Sequence, residues 1–133
     1  MGKPLILYVE DDDLVAYLVK EKITDYETFR VSNGELAVGF LNRAGAFQDV
    51  LRPALILLDL HMPRRDGFDV LAEIRATPSF DTIPVAIFTT SQWAVDREKA
   101  FSLGANYFIQ KPTSLDGFDE LAATLAKIIG ETS

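Results

Sequence analysis

Acidic side chains are concentrated near the start of the chain, where Glu10, Asp11, Asp12 and Asp13 follow one another directly. Carboxylates this close disfavour one another's ionised forms. A bound cation would remove that penalty, and oxygen ligands of this density suit a hard dication such as Mg²⁺. The run therefore predicts a metal site, with Glu10 and Asp11 on the metal side of the cluster.

Three further side chains along the chain could act on a phosphoryl group. Asp59 follows the apolar run "LILL", Thr89 lies at the end of "VAIFTT", and Lys111 follows "NYFIQ". A carboxylate can attack phosphorus, as in enzymes that form an aspartyl phosphate. An ammonium group and a hydroxyl can stabilise the charge on the transferring oxygens. Together with a dication, this set predicts phosphoryl transfer with Asp59 as the nucleophile.

The elements that must position these groups alternate between short apolar strands and segments with helical spacing. The predicted strands cover residues 5–9, 27–32, 54–60, 85–90 and 106–110, and the predicted helices cover 13–24, 35–45, 68–76, 92–105 and 115–130. This alternation indicates a parallel sheet with right-handed crossovers, in the doubly wound order 2-1-3-4-5. Ligands bind at the carboxyl ends of the strands in such sheets, so we expect the reactive side chains to converge there.

Composition limits the class of protein further. The chain has 133 residues, which suits one domain covering 1–133, and it has no cysteine, which excludes disulfides and thiolate chemistry. Its net charge is −7, whereas binding to nucleic acid needs a basic surface. No apolar run approaches the roughly 20 residues of a membrane span, and the N-terminus does not resemble a signal peptide. We therefore expect a cytoplasmic protein that binds neither nucleic acid nor membrane.

Four segments carry a family resemblance. "ILYVEDD", "LILLDLHMPRRDG", "IPVAIFTTS" and "GANYFIQKP" resemble, in order and spacing, the landmarks of the response-regulator receiver domain of two-component signalling. The resemblance covers essentially the whole chain and implies a flavodoxin-like α/β fold. It implies that Asp59 is the phospho-acceptor, Thr89 the switch hydroxyl and Lys111 the phosphate-binding lysine.

The resemblance also implies how the metal is held. Asp11 and Asp59 would bind Mg²⁺ directly, with Mn²⁺ as a substitute, and Glu10 would bind through a water molecule. The backbone carbonyl of His61 would be a further ligand. On this interpretation the acidic run marks the metal site, and the reactive carboxylate lies on another strand.

Two residues near the fifth strand receive conformational roles from the same resemblance. Phe108 lies at the aromatic switch position, three residues before Lys111, where many members of the family have tyrosine. Phenylalanine keeps the ring but loses the hydrogen bond of the hydroxyl. Pro112 is expected to follow a cis peptide bond.

The expected partners follow from the resemblance as well. We expect a stand-alone receiver without an output domain, phosphorylated by a histidine kinase and catalysing only its own phosphorylation and dephosphorylation. The connector 43–53 and the "TTS" at 89–91 resemble small response regulators that are paired with bacterial phytochrome kinases. Signalling would pass through the face formed by the fourth helix, fifth strand and fifth helix, to a partner protein or to a second copy in a homodimer.

Some individual residues have structural interpretations. Asp13 is expected to cap the first helix, and Asp66 to stabilise the turn before Gly67. Trp93 is either an anchor in the core or an exposed ring at an interface. Phe101 is expected in the core because of its helical spacing.

Other functions compete with the receiver. A phosphatase of the haloacid-dehalogenase type would need a second aspartate two residues after its nucleophile, where this chain has His61, and would need room for a cap domain. A flavin- or nucleotide-binding module needs a phosphate-binding loop of small residues after the first strand, where this chain has carboxylates. Within the receiver family, a phosphate sink or a relay to a phosphotransfer protein remains an alternative to the switch.

Overall fold

A computed structural model describes residues 3–47, 52–62 and 65–132, with only the backbone described for 43–47 and 131–132. The middle of the predicted connector, residues 48–51, therefore lies outside the described residues. The strands are β1 (Leu5–Val9), β2 (Glu27–Val31), β3 (Leu55–Leu58), β4 (Val85–Thr89) and β5 (Tyr107–Gln110). The helices are α1 (Asp13–Lys22), α2 (Gly34–Phe47), α3 (Gly67–Ala76), α4 (Ala94–Ser102) and α5 (Leu115–Thr132).

The five strands form one parallel sheet in the order β2-β1-β3-β4-β5, as predicted. In the register of the sheet, Val9 of β1 lies opposite Val31 on one side and Leu58 on the other. Because β1 and β3 are adjacent and end together, Glu10 and Asp59 leave the sheet side by side. Residues 3–47, 52–62 and 65–132 contain no helix that is long and apolar enough to cross a membrane.

Apolar side chains cover both faces of the sheet, because alternate residues of each buried strand point to opposite sides. Leu7, Ile56 and Ile87 pack in the cluster that includes residues of α2 and α3. Tyr8, Leu57 and Phe88 point the other way, into the cluster with α1 and α5. The central strands are therefore fixed between two layers of helices, and their carboxyl ends form a rigid base for the site.

The cap of α1 lies one residue earlier than predicted. Asp12 is the N-cap, because its Oδ1 atom accepts hydrogen bonds from the backbone N–H groups of Leu14 and Val15 at 3.0 and 3.1 Å. Asp13 is the first residue of the helix, and its carboxylate pairs with Arg30 at 2.8 Å instead. The predicted position of Asp13 at the start of α1 is therefore confirmed, but the prediction that Asp13 caps the helix is wrong.

Asp66 caps α3 by accepting a hydrogen bond from the Asp69 N–H at 3.0 Å. Its place in the turn before the helix was predicted, but its role as a cap was not. The backbone N–H of Gly67 donates to the Leu60 carbonyl at 2.8 Å, which brings the start of α3 against the end of β3. Helix α3 is thus attached directly to the loop that follows Asp59.

Gly67 allows this close approach. A Cβ atom added at Gly67 would lie 2.2 Å from the Asp59 carbonyl oxygen and 2.7 Å from the Leu60 Cα atom. Both are backbone atoms beside the site, so neither can move away as a flexible side chain could.

We expect Gly67→Ala to lower the free energy of unfolding by about 2 kcal/mol or more, because overpacking against backbone forces the two segments apart. Gly39→Ala is the matched control: it lies within α2 and its added Cβ would meet nothing within 4 Å. That variant should be stabilised by about 0.5–1 kcal/mol through helix propensity. Urea unfolding measures the free energy of unfolding of both variants, and equal changes in the two would contradict this prediction.

Candidate functional site

The carboxyl ends of three strands bring one ammonium group and two carboxylates together. Lys111 follows β5, Glu10 follows β1 and Asp59 follows β3. The Lys111 Nζ atom lies 2.8 Å from Glu10 Oε2 and 3.2 Å from Asp59 Oδ2. The exposed fraction is 0% for Glu10, 4% for Asp59 and 8% for Lys111. These three predicted site residues therefore form one buried ion-paired cluster.

Burial sets the protonation behaviour of this cluster. Removal from water raises the pKa of both Glu10 and Asp59 above the usual carboxyl range, although the charge and hydrogen bonds of Lys111 oppose the rise. Burial alone would lower the pKa of Lys111, but its hydrogen bond to Glu10 and the charges of both carboxylates outweigh that effect and raise it. The lysine therefore stays charged and partly compensates the buried carboxylates.

A third carboxylate extends the cluster to solvent. Asp11 is exposed, and one oxygen from each of Glu10, Asp11 and Asp59 lies within 4.8 Å of the other two. Three carboxylates face a single ammonium group, so the cluster carries an excess of negative charge. A set of oxygen donors with excess negative charge fits a hard dication such as Mg²⁺, which binds through one or two carboxylates and keeps several waters.

Tyr8 also belongs to the site, and it was not among the predicted site residues. Its hydroxyl donates to Glu10 Oε1 at 3.0 Å, while Glu10 Oε2 accepts from Lys111. Burial raises the pKa of Tyr8 well above its usual value, so the phenol stays protonated and remains a donor. The signal in the sequence was a single hydroxyl in an otherwise aliphatic buried strand, and packing alone explained that residue equally well.

Thr89 is fully buried at the end of β4, and its environment connects it to α4. Its Oγ1 atom accepts a hydrogen bond from the Ser91 N–H at 3.2 Å, and the Ser91 hydroxyl donates to Asp96 Oδ2 at 2.6 Å. The donation from Ser91 lowers the pKa of Asp96. The same Asp96 oxygen lies 3.2 Å from His61 Nε2. A chain of contacts that the sequence did not reveal therefore links the predicted switch hydroxyl to the loop after Asp59.

His61 lies next to the cluster with its side chain 59% exposed. Its backbone N–H forms a hydrogen bond with the Asp59 carboxylate, which opposes the rise that burial causes in the pKa of Asp59. The ring points to Asp96 on α4. That the His61 carbonyl binds a metal ion stays a prediction.

The aromatic side chains between α4 and β5 lie at the surface. Phe108 is half-buried, and its ring centroid lies 6.5 Å from that of Phe101. The Arg97 guanidinium carbon lies 5.4 Å from the Phe101 centroid and 5.7 Å from the Phe108 centroid. Phe101 is 39% exposed, so the prediction that it lies in the core is wrong: the helix turns this ring outward, beneath Arg97. Trp93 is 71% exposed, which supports the interface ring over the core anchor.

The prediction of a cis peptide bond before Pro112 is wrong, because the described residues contain no cis peptide bond. The trans isomer is the default for a bond to proline, favoured by about 0.5–1 kcal/mol. Pro112 contacts the start of α5, where a Cβ atom added at Gly117 would lie 2.6 Å from its ring.

An open groove of about 930 Å³ lies beside the acidic cluster. It is lined by His61 and by the segment 90–96, which joins β4 to the first turn of α4. Trp93 forms part of its wall. A partner protein that approached Asp59 from this side would contact the exposed start of α4.

Comparison with known proteins places these features in a family. Residues 6–123 match the family model described as the response regulator receiver domain. The response regulator Rcp1 of Synechocystis sp. is 37% identical over 115 residues, which are 84% of this chain and 78% of Rcp1. Over 93% of this chain, the probable methanogenesis regulatory protein FilR2 of Methanothrix harundinacea is 32% identical.

Solved structures give the same result. The phosphorylated cyanobacterial phytochrome response regulator RcpA matches with a TM-score of 0.88 and 30% identity, over 99% of this chain and 97% of RcpA. The Mn²⁺-bound form of Rcp1 matches with a TM-score of 0.82 and 34% identity, over 93% and 92% of the two chains.

Proposed function

The chain belongs to the response regulator receiver family, and on that basis we propose that it is a switch phosphorylated at Asp59 by a histidine kinase. The single observation that carries the proposal is the convergence of Asp59, Glu10 and Lys111 at the strand ends, with Nζ–O distances of 2.8 and 3.2 Å. Receiver domains are signalling proteins rather than conventional enzymes, so we propose no separate substrate. The similarity to Rcp1 and RcpA supports a phytochrome kinase as the partner.

In the proposed reaction, a carboxylate oxygen of Asp59 attacks the phosphorus of a phosphohistidine. The P–N bond breaks, the imidazole leaves with the bonding electron pair and takes up a proton, and an acyl phosphate remains on Asp59. Asp11, Asp59 and the His61 carbonyl would hold Mg²⁺, with Glu10 through a water molecule, and the ion would supply positive charge to the phosphoryl oxygens. Lys111 neutralises further charge. The Thr89 hydroxyl donates a hydrogen bond to a phosphoryl oxygen.

The proposed readout follows from the contacts of Thr89. The Thr89 Oγ1 atom accepts a hydrogen bond from the Ser91 N–H, so this bond changes when the hydroxyl turns toward the phosphoryl group. Because the Ser91 hydroxyl donates to Asp96, the change reaches the first turn of α4. Phe108 and the face formed by α4, β5 and α5 would then adjust as a two-state element. Exposed apolar side chains on that face, among them Trp93 and Val95, are suited to a partner protein or a second copy of the chain.

Beryllofluoride with Mg²⁺ tests both parts of the proposal. Beryllofluoride mimics an aspartyl phosphate, so a bound signal in ¹⁹F NMR is expected only when Mg²⁺ is present. Light scattering on the same samples should show a change from monomer to dimer. A bound signal without Mg²⁺, or none in its presence, would contradict the metal-assisted acceptor.

The alternatives predict different outcomes in that experiment. A phosphate sink or a relay to a phosphotransfer protein would bind beryllofluoride and stay monomeric in light scattering. A phosphatase of the haloacid-dehalogenase type would turn over a generic phosphomonoester. The position two residues after Asp59 disfavours that reading, since His61 there directs its ring to Asp96 on α4.

A further inference from the structure

Arg30 on the edge strand β2 reaches over the acidic loop that joins β1 to α1. Its Nε atom donates to the backbone carbonyl of Glu10 at 2.8 Å, and its Nη1 atom donates to Asp13 Oδ1 at 2.8 Å. The side chain is only 22% exposed, so most of the guanidinium is shielded from water. One side chain therefore bridges both ends of the segment that contains Asp11.

The bond to the Glu10 carbonyl fixes a specific peptide group. That carbonyl belongs to the peptide between Glu10 and Asp11, and a peptide unit is planar from one Cα atom to the next. The preceding N–H of Glu10 is also attached to β2, since it donates to the Val31 carbonyl at 3.0 Å. The two peptide groups that flank Glu10 are thus both bonded to the neighbouring strand, and the direction in which Asp11 leaves the chain follows from them.

Asp11 depends on this support because its own side chain is exposed. Glu10 is held through its carboxylate by Tyr8 and Lys111, and Asp12 is held because it caps α1. The position of Asp11 is instead set by the backbone between those two residues. Arg30 bonds to the Glu10 carbonyl before Asp11, and the Asp12 N–H after it donates to Glu10 Oε2 at 3.3 Å. The ion pair of Arg30 with Asp13 contributes little by itself, because Asp13 is 93% exposed and exposed pairs are weak.

We propose that Arg30 is a positioning residue of the divalent-cation site, which holds the Glu10–Asp11 peptide so that Asp11 faces Glu10 and Asp59. The proposal rests on the proposed function, in which those carboxylates hold the metal ion. Arg30 does not contact the cation and does not act by its charge: a positive charge beside the site repels a dication. Position and charge therefore have opposite effects on cation affinity, which makes them separable.

Two substitutions separate these effects. Arg30→Lys keeps the charge but replaces the planar fork of separate nitrogen donors by a single ammonium group, and Arg30→Gln removes the charge. If Arg30 positions the loop, Arg30→Lys should bind Mn²⁺ about 10-fold more weakly, as is typical when the partners of metal ligands are replaced. Arg30→Gln should also bind more weakly than the parent, but by a smaller factor, because the loss of the positive charge partly offsets the loss of position. If Arg30 acts by charge alone, the lysine variant should bind as the parent does and the glutamine variant more tightly. Free Mn²⁺ measured by electron paramagnetic resonance gives the dissociation constants directly.

A kinetic readout distinguishes positioning from general damage. The Mg²⁺ concentration that gives half-maximal phosphorylation by acetyl phosphate should rise in both variants, by about 10-fold in Arg30→Lys. The rate at saturating Mg²⁺ should stay within about twofold of the parent rate, because Asp59 and Lys111 are untouched. A fall in the saturated rate with an unchanged Mg²⁺ requirement would overturn the proposal.

Arg75→Gln is the matched control. Arg75 is also a partly buried arginine that bonds to backbone carbonyls, those of Gly104, Asp81 and Ile83, but it has no bond to the acidic loop. This variant should lower the melting temperature and leave the Mn²⁺ dissociation constant unchanged. If the parent protein bound no Mn²⁺ at all, the proposed function would fail; if the parent bound and all variants bound equally, only the role of Arg30 would fail.

Discussion

Asp59→Asn is expected to abolish phosphoryl uptake and, in the same protein, to raise the free energy of unfolding. The amide has no carboxylate oxygen to attack phosphorus, so incubation with acetyl phosphate and Mg²⁺ should add no phosphoryl mass. The parent protein should gain the mass of one phosphoryl group, and hydroxylamine should remove it, as expected for an acyl phosphate. If the variant took up phosphoryl groups at the parent level, the assignment of Asp59 as the acceptor would be wrong.

The gain in stability follows from the burial of Asp59, which is 4% exposed. Burial raises its pKa above the ordinary value of 3.8, so the folded state binds the proton more tightly than the unfolded state does. Ionisation of Asp59 therefore costs stability, and the cost grows as the pH rises from 3.8 through the folded-state pKa. Asparagine does not ionise, and relief of this cost should be worth about 1 kcal/mol at neutral pH without Mg²⁺.

The pH dependence of the stability difference tests whether the charge of Asp59 is its cause. Below about pH 3.8 Asp59 is neutral in both states, so the parent and the Asp59→Asn variant should have the same stability there. The difference should appear above that pH and reach its full value above the folded-state pKa. Urea unfolding at a series of pH values in Mg²⁺-free buffer measures it. A stability gain that did not vary with pH would point to packing instead of charge.

The residues that could be predicted from the sequence are those whose position follows from the topology of the sheet. Asp59, Thr89 and Lys111 each follow an apolar run, and a parallel sheet places the ends of such runs together. The order β2-β1-β3-β4-β5 then makes Glu10 and Asp59 neighbours. The pattern of strands and the reactive residue types were sufficient for this part of the site.

Residues that act through side-chain direction could not be predicted in the same way. Packing alone would explain Tyr8 in a buried strand, and only the structure shows its hydroxyl bonded to Glu10. Arg30 is a charged residue on an edge strand, as is common, and only the structure shows its bond to the Glu10 carbonyl. Phe101 has the spacing of a core residue, but the end of α4 rotates it to the surface. The periodicity of the sequence places a residue on a helix or strand, but it does not determine which residues of other elements that residue contacts.

Lys111→Met is expected to have the largest effect on stability of any single change in the site. Lys111 is the cation paired with Glu10 and Asp59, which are 0% and 4% exposed. Its loss leaves two buried carboxylates without that partner, and breaking a buried ion pair in this way costs about 3–5 kcal/mol. Lys127→Met, at an exposed position of α5, should be close to neutral. Urea unfolding of the two variants at neutral pH tests the difference.

The direction of the pH effect distinguishes lost charge from lost packing. The folded-state pKa of Lys111 is raised, so its contribution is fully present below its unfolded value of 10.5 and is lost only as the pH rises through the folded-state value. Acidification should therefore leave the contribution of Lys111 in the parent intact until the carboxylates protonate. In Lys111→Met, protonation of Glu10 and Asp59 removes the unpaired charge, so the deficit should shrink as the pH falls.

A double-mutant cycle with Asp59→Asn identifies the carboxylates responsible. If both carboxylates contribute to the cost of Lys111→Met, that cost should be smaller in the asparagine background, because one of the two buried charges is gone. Mg²⁺ should recover stability in Lys111→Met more than in the parent, since a dication supplies the missing positive charge to the same oxygens. Equal costs in both backgrounds would mean that Asp59 does not contribute to the cost, and the absence of preferential recovery by Mg²⁺ would mean that a dication does not replace the lost ammonium group.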